Sequence, residues 1–356
     1  MTFDAVLLAS FGGPEGADEV MPFLERVTAG RDVSASRLED VAEHYYALGG
    51  VSPIQEQNRQ LRAHLQAEIE RRGLRLPVYW GNRNSTPFFE DALRGIHRDG
   101  HHKVLAIATS AYSSYSGCRQ YRENLWAALM SSGLSEDLTV LKVKPFFERS
   151  GFTSPFAHGI AEALRALTED GIDTTRIRVL FTTHSIPVSM ALASGPDVER
   201  SVELPGLYER QHLHVAQTAM TAATAGSAFH DVQWSLVFQS RSGPSQVPWL
   251  EPDIDEGVHR AAADGALAVV VVPIGFISDH VEVVWDLDRV TYATAVELGL
   301  RMIRVPTPGV SPVFVSALVD LIEAATETSP ARPDEICSVT CCVNARGELP
   351  AVAAAR

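Results

Sequence analysis

The chain has 356 residues, 46% of them apolar and 21% charged, the balance of a soluble globular protein with enough core for two domains. A formal net charge of −14 argues against nucleic acid as a partner, and an anionic ligand would need a local cationic or hydrogen-bonding pocket. Four cysteines, mostly bunched near the tail, make a disulfide framework the wrong expectation. With no basic leader and no apolar run long enough to span a bilayer, a cytoplasmic location is expected.

Apolar runs alternate with helix-like text along the chain, the mark of an α/β protein whose parallel strands are buried on both faces. "DAVLLASF" reads as a strand, followed by amphipathic "ADEVMPFLERV" and by "NRQLRAHLQAEIERRG", a helix with a terminal glycine. "LPVYWG" is a strand, "PFFEDALRGIHRDG" a helix, "KVLAIATSAY" a strand and "CRQYRENLWAALMSSG" a long helix. The order then repeats. "IRVLFTTHSIP" matches "AVLLASFGGP", and "VQWSLVFQSRSGPSQVPWLEPDIDEGVHRAAADG" matches "LPVYWGNRNSTPFFEDALRGIHRDG" element for element. "ALAVVVVPIGFISD" then matches "KVLAIATSAYSSYS". The expected divisions are 1–150, 151–308, a closing helix at 309–327 and a cysteine-containing tail at 328–356. Ligands of open α/β sheets bind at the carboxyl ends of strands, which points to the turns "FGGP", "SAYSSYS", "THSIP" and "GFISDH".

His184 ends one of these strands, and its plain reading is a histidine tied to a neighbouring carbonyl. In "FISDHVEVVWDLD", Asp279 suits a helix N-cap and Glu282 a first-turn acid. Asp286 and Asp288 fall later and need another explanation. Glu282 and Asp286 stand at i and i+4, so they share a helical face and repel unless a cation or proton lies between. A solvated acidic face remains the alternative. No dinucleotide fingerprint, Walker loop or zinc-protease motif is present.

Five ordered motifs, "LLASFGGP", "HYYALGGVSPI", "FTTHSIP", "SRSGPSQVPWLEP" and "PIGFISDHVEVVWDLD", resemble the ferrochelatase family, from Met1 to the closing helix. The resemblance is strongest to the coproporphyrin III ferrochelatases of Gram-positive, actinobacterial-type bacteria. It implies two similar Rossmann-like domains, each a four-stranded parallel sheet flanked by helices, around a porphyrin cleft. It also implies insertion of Fe2+ into coproporphyrin III without an organic cofactor, by a monomer. By that likeness His184 and Glu282 are the catalytic and iron-binding pair, facing one another across the macrocycle, with Asp286 continuing a proton relay. The residue types suit the task. Two pyrrole N–H protons must leave, neutral imidazole can accept them, and carboxylates bind iron without trapping it.

The same likeness offers Ser52, Tyr121, Tyr45, Arg31 and Phe11 as porphyrin contacts, with the loop "SSYS" beside them. Tyr45 reads equally well as a core tyrosine. Phe11 stands where many coproporphyrin relatives carry an iron-ligating tyrosine, and phenylalanine can only pack against the ring. Ala111 replaces a histidine of some relatives, and Val290 the next carboxylate of the acidic helix. Cys337, Cys341 and Cys342, with Cys118 as the internal cysteine, match the ligand count of a [2Fe–2S] cluster found in some members. Pro155 occupies the usual place of the internal ligand, and zinc or free thiols are the competing readings. Protoporphyrin IX insertion, or another tetrapyrrole and metal, is the nearer functional rival. A non-catalytic haem carrier is the rival of another class.

Overall fold

The computed structural model describes residues 3–30, 33–229, 231–243, 246–327, 341–344, 347 and 349–352. The first half runs β1 (Ala5–Ser10), α1 (Ala17–Thr28), α2 (Ala35–Ala47), α3 (Ile54–Arg71), β2 (Val78–Asn82), α4 (Phe89–Arg98), β3 (Lys103–Ala108), α5 (Gln120–Ser132) and β4 (Thr139–Lys142). The second runs α6 (Ser150–Glu169), β5 (Ile177–His184), α7 (Val188–Leu192), α8 (Leu207–Thr224), β6 (Gln233–Gln239), α9 (Ile254–Ala263), β7 (Ala268–Val272), α10 (Val281–Trp285), α11 (Tyr292–Glu297), β8 (Arg301–Arg304) and α12 (Pro312–Glu327).

Each half builds a four-stranded, wholly parallel sheet, in the orders β2-β1-β3-β4 and β6-β5-β7-β8. The two orders are the same once the numbering is offset, so the repeat read from the sequence is a repeat of topology. The central strands are the apolar runs. All six residues of β1 and all five of β7 are buried, as strands covered by helices on both faces require. The repeat extends to a feature invisible to pattern reading. A π-helical turn, Tyr115–Arg119, precedes α5 in the first half, and another, Asp286–Thr291, follows α10 in the second.

One apolar core crosses between the halves, joining Val6 and Leu8 of β1 to Phe152 and Phe156 of α6, Phe181 of β5 and Phe314 of α12. Helix α12 packs on both α6 and α3. Arg72, at the end of α3, donates to Asp320 and Glu323 at 2.6 Å each and to the Ser316 hydroxyl at 2.7 Å, all on α12.

Parallel strands put all carboxyl ends of a sheet on one edge, and further contacts between the halves lie there. Tyr112, after β3, donates to the Ile274 carbonyl after β7 at 2.9 Å. Gln211 of α8 accepts from the Ser113 amide at 2.8 Å, and His44 of α2 stacks on Trp285 at 4.3 Å. The two strand-end edges therefore converge, as the positions of the polar turns require.

Candidate active site

His184 is the last residue of β5, and its ring is held from behind. The Ser185 carbonyl can only accept, so the His184 Nδ1 it contacts carries the proton, which leaves Nε2 with a free lone pair in the neutral ring. Tyr208 donates to the His184 carbonyl at 2.9 Å. The Thr183 hydroxyl bonds Tyr208 at 2.8 Å and His212 at 2.9 Å. Burial pushes the His212 imidazole down to about 3, so it is a neutral structural group, stacked 3.6 Å from Tyr112.

Because β7 lies beside β5, the loop after β7 brings Glu282 to the same place. A Cβ at Gly275 would meet the Thr183 hydroxyl at 2.1 Å, so only glycine lets that loop pass over the end of β5. His184 Nε2 and Glu282 Oε2 stand 3.6 Å apart, with side chains 33% and 43% exposed, open to an incoming ligand. This corrects one expectation: the pair does not face across a macrocycle. A flat ring needs roughly 3.5 Å on each side, about twice the gap present. Both groups therefore stand on one side of any ring that could bind here.

The acids of "FISDHVEVVWDLD" divide into two sets. Asp279 is not a cap; α10 starts without a side-chain cap at His280. Asp279 instead accepts two bonds from Arg304 at 3.2 Å and one from Thr307 at 3.1 Å, and Arg304 also grips Asp288 at 2.6 and 3.0 Å. Glu282 and Asp286 are left for the site. The Ser240 hydroxyl donates to Asp286 Oδ2, and Gln239 reaches the same atom at 3.3 Å. Burial, with the nearby Glu282 charge adding to it, pushes the Asp286 carboxyl up to about 6. Ser240 holds a left-handed backbone, φ 59°, to make that contact. His280 turns against Phe276, and burial favours its neutral form.

In the first half, Phe11 and Tyr121 bracket the Arg83 guanidinium, with ring centres 5.3 and 4.9 Å from it. Arg83 follows β2, at the position the repeat pairs with the Ser240 loop; the sequence shows a polar loop there but not the cation between aromatic faces. Ser52 is buried beneath Gly13, where a Cβ would meet its own Cβ at 2.6 Å. Tyr45 is buried against Phe23, and burial raises its phenol above the ordinary value, with the Glu282 charge contributing. Ala111 and Tyr121 sit in the core. Arg31 and Cys337 lie outside the described residues.

The thiols of Cys118, Cys341 and Cys342 are buried. Cys341 and Cys342 stand 3.8 Å apart at sulfur, and Lys142 lies 3.6 Å from the Cys118 sulfur. Hydrogen bonds to Cys118 and Cys341, together with burial, keep Cys342 protonated. The Gly195 amide donates to Cys342 Sγ at 3.2 Å, while Asn344 reaches the Tyr115 hydroxyl at 3.0 Å, so the described tail spans both halves. Among the described residues no three ligating side chains are arranged as a metal-ion site.

The profile of the Ferrochelatase family matches residues 3–326. The chain belongs to the ferrochelatase family. It is 46% identical to the coproporphyrin III ferrochelatase of Leifsonia xyli subsp. xyli, over 99% of this chain and 94% of that one. It is 47% identical to the coproporphyrin III ferrochelatase of Streptomyces griseus subsp. griseus, over 99% and 96%. Among solved structures, SirB from Bacillus subtilis with Fe3+ aligns at a TM-score of 0.50 and 11% identity, over 91% of this chain and 96% of that one, a likeness of fold. Among the described residues no helix is long and apolar enough to cross a membrane.

Proposed function

We propose that this ferrochelatase is a lyase that inserts Fe2+ into coproporphyrin III, releasing two protons and giving the iron chelate used in haem biosynthesis. The observation that carries the reading is the partly exposed His184–Glu282 pair, 3.6 Å apart, His184 ending β5 and Glu282 on α10 beyond the adjacent β7. With bonds of roughly 2.1 Å to each atom, a first-row divalent ion bridges that gap at a bond angle of about 120°. The relatives' names supply the porphyrin.

His184 Nε2 and Glu282 hold the ion on one side of the ring until it passes to the pyrrole nitrogens; the Nε2 lone pair so freed accepts a pyrrole proton, and Asp286 passes protons toward solvent. Asp286 suits that part because its carboxyl, pushed up to about 6, exchanges protons near neutral pH. Coproporphyrin III carries four propionates, and a chain of net charge −14 needs local cations to receive them. Arg83 between Phe11 and Tyr121 offers one such cation against apolar ring faces, with Ser52 and Tyr45 completing the proposed porphyrin contacts and Arg31 a further candidate. The reading keeps the divisions at 150, 308 and 327 and a cytoplasmic monomer, which sedimentation of the purified chain checks.

A [2Fe–2S] cluster is part of the proposal. It takes thiolate donors, and Cys118, Cys341 and Cys342, the last losing its proton on binding, would supply them, with Cys337 as the fourth. When bound it would tie the tail to the first half. Protein purified without oxygen should show visible absorbance that Cys341→Ser removes; a colourless protein overturns the cluster.

The function is tested by anaerobic iron insertion into coproporphyrin III and protoporphyrin IX side by side. Coproporphyrin III should be preferred, and Glu282→Gln and His184→Ala should each lose activity by at least about a hundred-fold. Preference for the two-propionate ring sinks the substrate assignment. Activity retained in both variants sinks the site.

A further inference from the structure

Glu282 and Asp286 sit on a stretch of chain with little intrinsic rigidity. Helix α10 is five residues long, lacks a side-chain cap, and passes directly into the π-helical turn Asp286–Thr291. Short helices are marginal by themselves, and π turns are held by a poor hydrogen-bond pattern. Something outside the segment must fix where its carboxylates point.

Arg304 is placed to do so. It ends β8, the strand paired with β7, so its backbone is anchored to the sheet from which the segment emerges. Its guanidinium holds Asp288 through two parallel bonds and Asp279 through two more, and its side chain is 19% exposed. Asp279 precedes Glu282, and Asp288 follows Asp286. Thr307 adds a bond to Asp279, and Gln57, from α3 in the first half, accepts the Asp279 amide at 2.8 Å. The segment is thus gripped at both ends by one planar cation, and its start is also tied to the other half.

We infer that Arg304 is a positioning residue for iron insertion, stapling the Glu282–Asp286 segment at both ends so that Glu282 meets the ion beside His184 with Asp286 held behind it. The inference rests on the reading that Glu282 acts on iron. The staple also has a sorting effect. Asp279 and Asp288 are occupied by the guanidinium, so the carboxylate left to meet the ion is Glu282, the one that faces His184. Lysine cannot replace this arrangement, because an ammonium offers no planar fork for two carboxylates at once.

The experiment uses the full chain and the variants Arg304→Lys, Arg304→Gln and the triple variant Asp279→Asn/Asp288→Asn/Arg304→Gln, with Glu282→Gln as the control. Thermal melting, coproporphyrin binding by fluorescence, and kcat and KM for each substrate are measured. Arg304→Lys should lose roughly ten-fold in kcat/KM for Fe2+, and Arg304→Gln roughly ten- to a hundred-fold, the scale of small misplacements of reacting groups. Porphyrin affinity should stay within about two-fold, since the staple touches the iron side only.

Where Arg304→Gln folds poorly, the triple variant decides, because it strands no charge yet lacks the fork. It should fold and remain slow with iron. Full recovery of iron kinetics in the triple variant overturns the inference, since neutralisation alone would then account for Arg304. Losses equal for both substrates and proportional to the folded fraction overturn it too, as does unchanged iron kinetics in Arg304→Lys and Arg304→Gln. Should Glu282→Gln itself retain activity, the functional reading has failed instead.

Discussion

Removing the Ser240 hydroxyl isolates the proton-handling part of the site. That hydroxyl donates to Asp286 and stabilises its charged form against the burial that pushes the carboxyl up to about 6. A hydrogen bond to a charged group contributes roughly 1.5–3 kcal/mol, and Gln239, at 3.3 Å, remains as a second donor. Taking the low end, Ser240→Ala removes about 1.5 kcal/mol of preference for the carboxylate, which is about one pH unit. The sign follows directly: with less support for the charge, deprotonation needs a higher pH. The acid limb of kcat/KM should move from near 6 to near 7. Activity should fall roughly five-fold at pH 6, about two-fold at pH 7, and recover above pH 8.5. Ser240→Gly removes the same hydroxyl and relieves the left-handed backbone, so the two variants should share one displaced limb. Loss of porphyrin fluorescence on iron insertion, recorded anaerobically from pH 5.5 to 9, gives the profile. An undisplaced limb, or a loss independent of pH, refutes the role of Asp286 as relay.

Asp286→Asn should uncouple stability from activity. The folded carboxyl titrates near 6 against an ordinary 3.8, so the stability it contributes is fully present below 3.8 and is lost as pH rises through 6. At pH 7 this amounts to at most about 3 kcal/mol, and the neutral amide should recover part of it, raising the urea midpoint while insertion slows. Arg72→Ala should do the reverse. Its side chain is 14% exposed and bridges α3 to Asp320, Glu323 and Ser316 of α12, so losing it should cost roughly 3 kcal/mol in urea unfolding and leave kcat within about two-fold.

The sheets were legible wherever a strand is long and buried. "AVLLAS" and "AVVVV" carry their assignment in composition, because a parallel strand covered on both faces has no polar face to show. Neither β4 nor β8 announces itself. Each has four residues and ends in a cation, Lys142 or Arg304, so neither reads as a fully apolar run. Helix α2 is equally quiet, with polar residues around most of "ASRLEDVAEHYYA". The repeat told which strands correspond but not which are neighbours. The family likeness placed Glu282 across a macrocycle from His184; the order β6-β5-β7-β8 puts β7 beside β5 and so brings the segment after β7 next to His184.

The site shows the same division between local and tertiary information. The position of His184 at the end of β5 was readable because a strand end followed by Ser-Ile-Pro is a local signal. Asp279 was misread as a cap because the local signal, an acid before a helix, was present while its true partner stood at the end of another strand. Charge pairing of this kind is decided by proximity in the fold, and only β8 brings Arg304 near. The consequence is chemical. Counting carboxylates in "FISDHVEVVWDLD" suggests a continuous acidic track, yet two of the acids are already neutralised, and the track reduces to Glu282 and Asp286. In the proposed site, Glu282 and the His184 lone pair, with Asp286 held behind them by Ser240 and Gln239, would bind Fe2+ weakly enough to release it to a porphyrin, which a fuller set of anionic ligands would oppose.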